Sequence, residues 1–385
     1  MRLLCSLIIF SILFEIGFRV VRNAGWFGAD YGDVFSMEDL HEGGYLIPNT
    51  DLEVRNGLGG KVKWTNNSKG FRNEKEFTYE KPDNTIRILS MGDSFTSGYR
   101  VSQHETYSHL LEQSLNQDQD SVKYEVMVAN VSNPLTGLEY LTRHGLKYKP
   151  DIVILGITLG NDLSECFIHL SGTGKKRLIH NSVTDNPDLD AEEQSILMNE
   201  AFPVNTYRPI PQWQIYWSKL ILPKIISSAF SKHDQGEPVF AMKGKSPIYI
   251  HDFTHGLGLF LKKPPVTIDL MFTALEETLR AYDRLSIIEG FELKIAFFPQ
   301  RYQVNPLDQK ALIADFGLIE SEFDWIKPNR HLGDFCREVG LNCTDLLPAL
   351  QKEQRNFNLP NGDMHWNSLG HQIVSEVLLE SFRSQ

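Results

Sequence analysis

The chain has 385 residues, 41% hydrophobic and 23% charged, which suits a globular protein of one large domain or two smaller ones. Its 38 basic and 49 acidic residues leave a formal net charge of −11, which argues against a nucleic-acid binder, since phosphate recognition needs a basic face. Four cysteines in so long a chain exclude a disulfide scaffold. No Cys-x-x-Cys pattern points to a metal, and no cofactor is expected.

The first residues differ from the rest. Residues 3–14 are apolar except for Ser6 and Ser11; Glu15 interrupts the run, and residues 16–21 extend it around Arg19. A membrane span needs roughly 20 apolar residues and a secretory core about 7 to 15, so this segment lies between the two. Arg22 stands two positions before Ala24, where a cleavage site would need a small residue. The expectation is an uncleaved signal anchor over 1–22, with a cleaved signal peptide second and a buried N-terminal helix third. Residues 23–84 form a lead-in that reads as loop from about 25 to 80, marked by Gly59-Gly60 and Asn66-Asn67-Ser68.

A regular rhythm begins at residue 85. Residues 85–91 are a short apolar run ended by Gly92, the pattern of a buried strand. Residues 105–115 place Tyr107, Leu110, Leu111 and Leu115 at helical spacing. Residues 124–129 read as a second strand, 137–148 as a second helix, and 151–157 as a third strand opening after Pro150. Strands alternating with helices imply right-handed crossovers and a parallel sheet covered on both faces.

The rhythm stops at about 163 and resumes at about 265, a gap too long for an ordinary loop. The gap contains an acidic stretch over 185–193 and the aromatic cluster Trp213, Tyr216 and Trp217. It reads either as a cap over a substrate site or as an excursion that packs its tryptophans as core. A helix over 267–290, a strand over 293–298, a helix over 332–339, a strand over 341–345 and a terminal helix over 368–382 follow. Cys336 and Cys343 straddle the last helix-to-strand junction; a disulfide and two separate thiols both fit their spacing.

In an open parallel sheet, ligands bind beyond the carboxyl ends of the strands. Gly92-Asp93-Ser94 lies at the first such end and Gly160-Asn161-Asp162 at the third, while Asp363-Met364-His365 lies near the chain terminus. A serine nucleophile needs a base, and the base needs an orienting carboxylate. Ser94, His365 and Asp363 supply those three types, and Asn161 supplies an amide donor for a developing oxyanion. Each motif alone is common as a plain turn or surface pair; their joint placement points to serine catalysis. Asp93 and Asp162 read as braces of their turns, and His371 as a packing residue of the last helix. Gln300 and Arg301 follow a strand and read equally as residues that reach the substrate or as rim residues, so they stand outside the expected site.

These motifs resemble the SGNH, or GDSL-like, hydrolase family. Gly92-Asp93-Ser94, Gly160-x-Asp162 with Asn161 between, and Asp363-x-His365 are similar to its first, third and fifth blocks. The stretch 130–137, with Ser132 where the family usually has glycine, is similar to the second, and 67–72 resembles a lead-in of membrane-anchored bacterial members. The resemblance implies a three-layer α/β/α fold with a central parallel sheet of flavodoxin-like type over 85–385, carrying an insertion at about 163–265. It implies Ser94 as nucleophile, His365 as base and Asp363 as its orienter. The implied oxyanion hole is made of the Ser94 and Ser132 backbone N–H groups and the Asn161 side chain.

The family's common fifth block is Asp-x-x-His. The Asp-x-His spacing here resembles a subset that includes polysaccharide O-acetyltransferases. Three functions follow: an esterase on acylated carbohydrate or small esters; an O-acyltransferase served by a membrane acyl donor; and a non-catalytic binding module. The first two would place the domain in the periplasm or outside the cell.

Overall fold

The computed structural model describes residues 33–36, 41–56, 60–117, 122–172, 257–264, 266–316, 318–359 and 363–383. The apolar segment 1–22, the acidic stretch 185–193 and the cluster Trp213, Tyr216 and Trp217 lie outside them. Among the described residues no helix is long and apolar enough to cross a membrane.

Five parallel strands, β3 (Thr85–Gly92), β4 (Lys123–Asn130), β5 (Ile152–Thr158), β6 (Glu292–Phe298) and β7 (Asn342–Asp345), pair in the order β4-β3-β5-β6-β7. This is the flavodoxin-like order, so the direction of winding reverses between β3 and β5. All seven residues of β5 are buried, because helices cover both faces of the sheet. Side-chain alternation divides the apolar residues into two cores. Leu89, Met91, Met127, Ala129, Val153, Leu155, Ile295 and Phe297 face one side. Ile88, Val126, Val128, Ile154, Ala296 and Phe298 face the other. Helices Pro134–Arg143, Asp162–Gly172 and Val266–Glu289 pack on the first side, and Tyr107–Asn116 with Ser368–Arg383 on the second. The three-layer α/β/α fold is thus as expected.

The lead-in departs from the loop-like expectation. An antiparallel hairpin, β1 (Thr50–Arg55) with β2 (Lys61–Asn66), packs Val54 and Trp64 against Val34 and Leu46 in a small separate core. Only Thr50 and Val54 of β1 are buried, so the strand lacks the alternation that marks a half-buried strand. The following chain covers the outer edge of β4. Arg72 N–H donates to Val128 O (2.9 Å), and Asn73 exchanges bonds with Val126 O and Val128 N (3.0 Å each). Such cover removes an exposed sheet edge. Gly44 (φ +88°) touches the same edge, where an added Cβ would meet Asn130 O at 1.8 Å.

Other boundaries move for local reasons. Asn133 caps a helix that starts at Pro134, earlier than 137, and the chain breaks at His144 into a 3-10 turn, Gly145–Tyr148. The helix holding Cys336 starts at Lys327, with Pro328 in its first turn. Cys336 and Cys343 form a disulfide, with Cα atoms 6.2 Å apart. Alkylation of the unfolded protein without reductant is expected to leave both unlabelled, with labelling appearing after reduction; peptide mass spectrometry reads the result.

His371 is buried between the terminal helix and Tyr107, whose backbone N–H donates to His371 Nδ1 at 3.3 Å. Burial pulls its pKa down to about 3 from an ordinary 6.5, with the His365 and Arg72 charges adding to the shift. The folded state therefore holds His371 neutral, while the unfolded chain protonates it. Stability from this residue is present above pH 6.5 and is lost as pH falls towards 3. The stability advantage of wild type over His371→Gln is expected to shrink by about 2 kcal/mol between about pH 7 and pH 5, read by denaturant melts.

Candidate active site

The site sits at the carboxyl ends of β3 and β5, where the winding reverses. β3 ends at Gly92, and an added Cβ there would lie 2.1 Å from Thr96 Oγ1, so only glycine admits the turn. Asp93 then caps the short helix Ser94–Ser97, its Oδ1 accepting the Phe95 N–H at 2.9 Å. Gly98 (φ +74°) ends that helix, and Tyr99 N–H returns to Ser94 O at 2.9 Å. Ser94 is held at a helix start with its hydroxyl facing the C-terminal loop.

His365 arrives from 271 positions further along the chain, and its Nε2 lies 2.8 Å from Ser94 Oγ. Its Nδ1 lies 2.7 Å from Asp363 Oδ1, which also accepts the His365 backbone N–H at 3.0 Å. Burial alone would raise the Asp363 carboxyl, but the His365 hydrogen bonds and charge, with Arg100, hold it below the usual carboxylate value. An ionised carboxylate only accepts, so the Nδ1 carries the proton and Nε2 is left to accept from the Ser94 hydroxyl. The imidazole packs against the rings of Phe95 (4.7 Å) and Tyr99 (4.3 Å).

Two arginines fasten the acid. Arg100 Nη1 donates to Asp363 Oδ2 at 3.3 Å, and Arg301 Nη1 to Asp363 O at 3.4 Å. Arg301 is therefore tied to the triad loop. Tyr99, Arg100 and Phe95 escaped the sequence reading. They belong to no spaced motif, and only the fold brings them against His365 and Asp363.

The three expected oxyanion donors come from three neighbouring chain segments. Val131 N–H donates to Gly92 O at 2.8 Å, which sets Ser132 just beyond the end of β3. The Ser132 hydroxyl pairs with Thr136 Oγ1 (3.0 Å) and accepts from Asn133 Nδ2 (3.3 Å). Asn161 follows β5, past Gly160, where an added Cβ would strike the buried Gln300 amide at 2.1 Å. Gln300 is thus a packing partner of this turn. Asn161 Nδ2 donates to Glu165 Oε1 at 3.0 Å, a partner that the four-residue spacing on a helix could have signalled.

Asp93 and Asp162 brace their turns, Asp162 Oδ2 accepting the Thr158 N–H at 2.7 Å. Burial raises both carboxyls, and their mutual proximity raises Asp162 further. Among the described residues no group of His, Cys, Asp and Glu is arranged to hold a metal ion.

No protein-family model and no curated protein matches the chain. Solved structures do match in part. An acetyl xylan esterase shares 10% identity over 77% of this chain and 99% of its own, with a TM-score of 0.35. A two-domain esterase active on acetylated mannans shares 11% over 78% of this chain and 49% of its own, with a TM-score of 0.36. A catalytic mutant of an acetylxylan esterase from Geobacillus stearothermophilus shares 13% over 77% and 93%, with a TM-score of 0.35. Likeness at this level carries no argument about the site, which rests on its own geometry.

That geometry can move a proton from Ser94 to His365 and stabilise the imidazolium through Asp363. Asp363→Asn keeps the shape but no longer requires the Nδ1–H tautomer, and is expected to lower kcat on an ester by about 10³–10⁴. Steady-state kinetics on a chromogenic ester measures it, with a melting curve confirming the fold.

Proposed function

We propose that the chain is a serine ester hydrolase of the SGNH type, acting on acylated carbohydrate or small esters through an acyl-serine intermediate. The observation that carries this reading is the contact series Ser94 Oγ–His365 Nε2 (2.8 Å) and His365 Nδ1–Asp363 Oδ1 (2.7 Å) at the mouth of a parallel sheet. It also favours catalysis over a binding module, which would not need the serine and imidazole in register.

In the first step the Ser94 hydroxyl proton passes to His365 Nε2 as Oγ bonds to the ester carbonyl carbon. The carbonyl oxygen becomes an oxyanion, received by the N–H groups of Ser94 and Ser132 and the Asn161 amide. Collapse of this intermediate breaks the ester bond, and His365 returns the proton to the leaving alkoxide. A water, deprotonated by His365, then attacks the acyl-serine; the bond from the acyl carbon to Ser94 Oγ breaks, Oγ takes the proton back from His365, and the carboxylic acid is released. Each oxyanion donor is expected to be worth about 10²–10³ in rate.

The Asp363-x-His365 spacing supports a second reading in which a sugar hydroxyl replaces that water and the acyl group is transferred. Anchoring through residues 1–22, a periplasmic or extracellular domain and a membrane acyl donor belong to the same proposal. The Cys336–Cys343 disulfide supports an oxidising compartment.

Release of p-nitrophenol from p-nitrophenyl acetate by the full-length protein tests the reading. Ser94→Ala is expected to lower turnover by about 10⁴ or more. Acceleration by an added glycan, with the acetyl group recovered on the sugar, would assign transfer. Equal turnover by wild type and Ser94→Ala would remove the serine mechanism.

A further inference from the structure

We propose that Glu165 is a positioning residue for the oxyanion, fixing the Asn161 carboxamide with one N–H bound to Glu165 and the other free for the substrate oxygen. The inference rests on the ester chemistry proposed at Ser94.

Asn161 stands directly before the helix Asp162–Gly172, and Glu165 lies one turn into it. Glu165 N–H donates to Asn161 O at 2.9 Å, and Glu165 Oε1 accepts from Asn161 Nδ2 at 3.0 Å. Both ends of Asn161 are therefore tied to one residue. An asparagine before a helix ordinarily turns its side-chain oxygen to the first N–H groups. Asn133 does so here, its Oδ1 accepting from Leu135 N and Thr136 N at 3.1 Å each. Asn161 instead donates its amide nitrogen to a carboxylate.

The distinction matters for the chemistry. The two ends of a carboxamide are nearly the same in shape but opposite in hydrogen bonding. A flipped Asn161 would turn Oδ1 toward a developing oxyanion and repel it. An ionised carboxylate only accepts, so Glu165 admits only the orientation with nitrogen beside it. The second N–H on that nitrogen then keeps a set direction, as a preorganised donor requires.

The groups around Glu165 are acidic or neutral. Asp93 acts on it from the turn after β3. Asp162 and Cys166 lie on its own helix, where Glu165 raises both, and both in turn raise the buried Tyr282 hydroxyl of Val266–Glu289. Burial, with the Asp93 charge adding to it, lifts the Glu165 carboxyl to about 7 even though the Asn161 hydrogen bond opposes the rise. Assays at a pH of about 8 therefore examine the ionised form.

The test is a double-mutant cycle on the full-length protein with two readouts: hydrolysis of p-nitrophenyl acetate, and the rate at which a fluorophosphonate labels Ser94. Glu165→Ala is expected to lower kcat and labelling about tenfold or more with KM within about twofold. Glu165→Gln, which keeps an acceptor oxygen, restores part of that loss. In an Asn161→Ala background, Glu165→Ala is expected to change either rate by less than about twofold. Independent, additive losses, or no loss from Glu165→Ala alone, would overturn the proposal while leaving the ester reading intact. No Ser94 labelling and no Ser94-dependent turnover in wild type would instead remove the ester reading, and the inference with it. Melting curves accompany each variant. If Glu165→Ala does not fold, Glu165→Met replaces it, and failure of both to fold would assign Glu165 a structural role and overturn the proposal.

Discussion

A hydrogen bond of 2.8 Å joins Ser94 to His365 across 271 positions of sequence, and much of the C-terminal architecture serves to hold it. Leu359 N–H donates to His365 O at 2.8 Å, Asn358 Nδ2 to Met364 O at 2.9 Å, and Asn367 N–H to Phe357 O at 2.8 Å. The loop is thus laced to the segment before it. Trp366 lies buried between Phe95 and Phe298, with ring centroids at 4.8 and 4.9 Å, and joins the histidine loop to β6 and the nucleophile turn. The terminal helix then packs beside Tyr107–Asn116, so one hydrophobic core supports both partners.

The other side of the site is electrostatically costly. Asp93, Asp162 and Glu165 gather at the ends of β3 and β5, and burial raises all three carboxyls. Backbone N–H groups from Phe95 and Thr158 offset part of that cost for the two aspartates. Asp363 presents the opposite case. Its charge is favoured by the His365 hydrogen bonds and by Arg100, so the carboxylate proposed to orient the base is the one of the four with an arginine beside it. The environments separate the two buried aspartate braces and Glu165 from Asp363, in line with the roles proposed for them.

The lead-in acts on the scaffold from outside. By pairing with β4 through Arg72 and Asn73 it closes an edge that would otherwise present open backbone groups. Tyr45 N–H reaches Asn130 O at 2.9 Å, at the residue from which the chain turns toward Ser132. The lead-in thereby steadies the segment that holds Ser132, a proposed oxyanion donor.

Strand and helix periods were legible from sequence because alternation and helical spacing encode burial locally: β3, β5 and β6 lie where the apolar runs place them. Ser94, Asn161, Asp363 and His365 were legible as candidates because strand ends and short motifs mark them. The hairpin β1–β2 was not, since β1 buries too few residues to show a period, although Asn56-Gly57 was a turn signal. Tyr99, Arg100, Phe95 and Arg301 carry no local mark of their roles, which exist only where distant segments meet. Local sequence chose the elements and the reactive groups; tertiary packing decided which aromatic rings pack against the imidazole, which cations hold its carboxylate and how the Asn161 amide is oriented. The physical reason is range: periodicity acts over a few residues, whereas those contacts act through space between chain segments up to hundreds of positions apart.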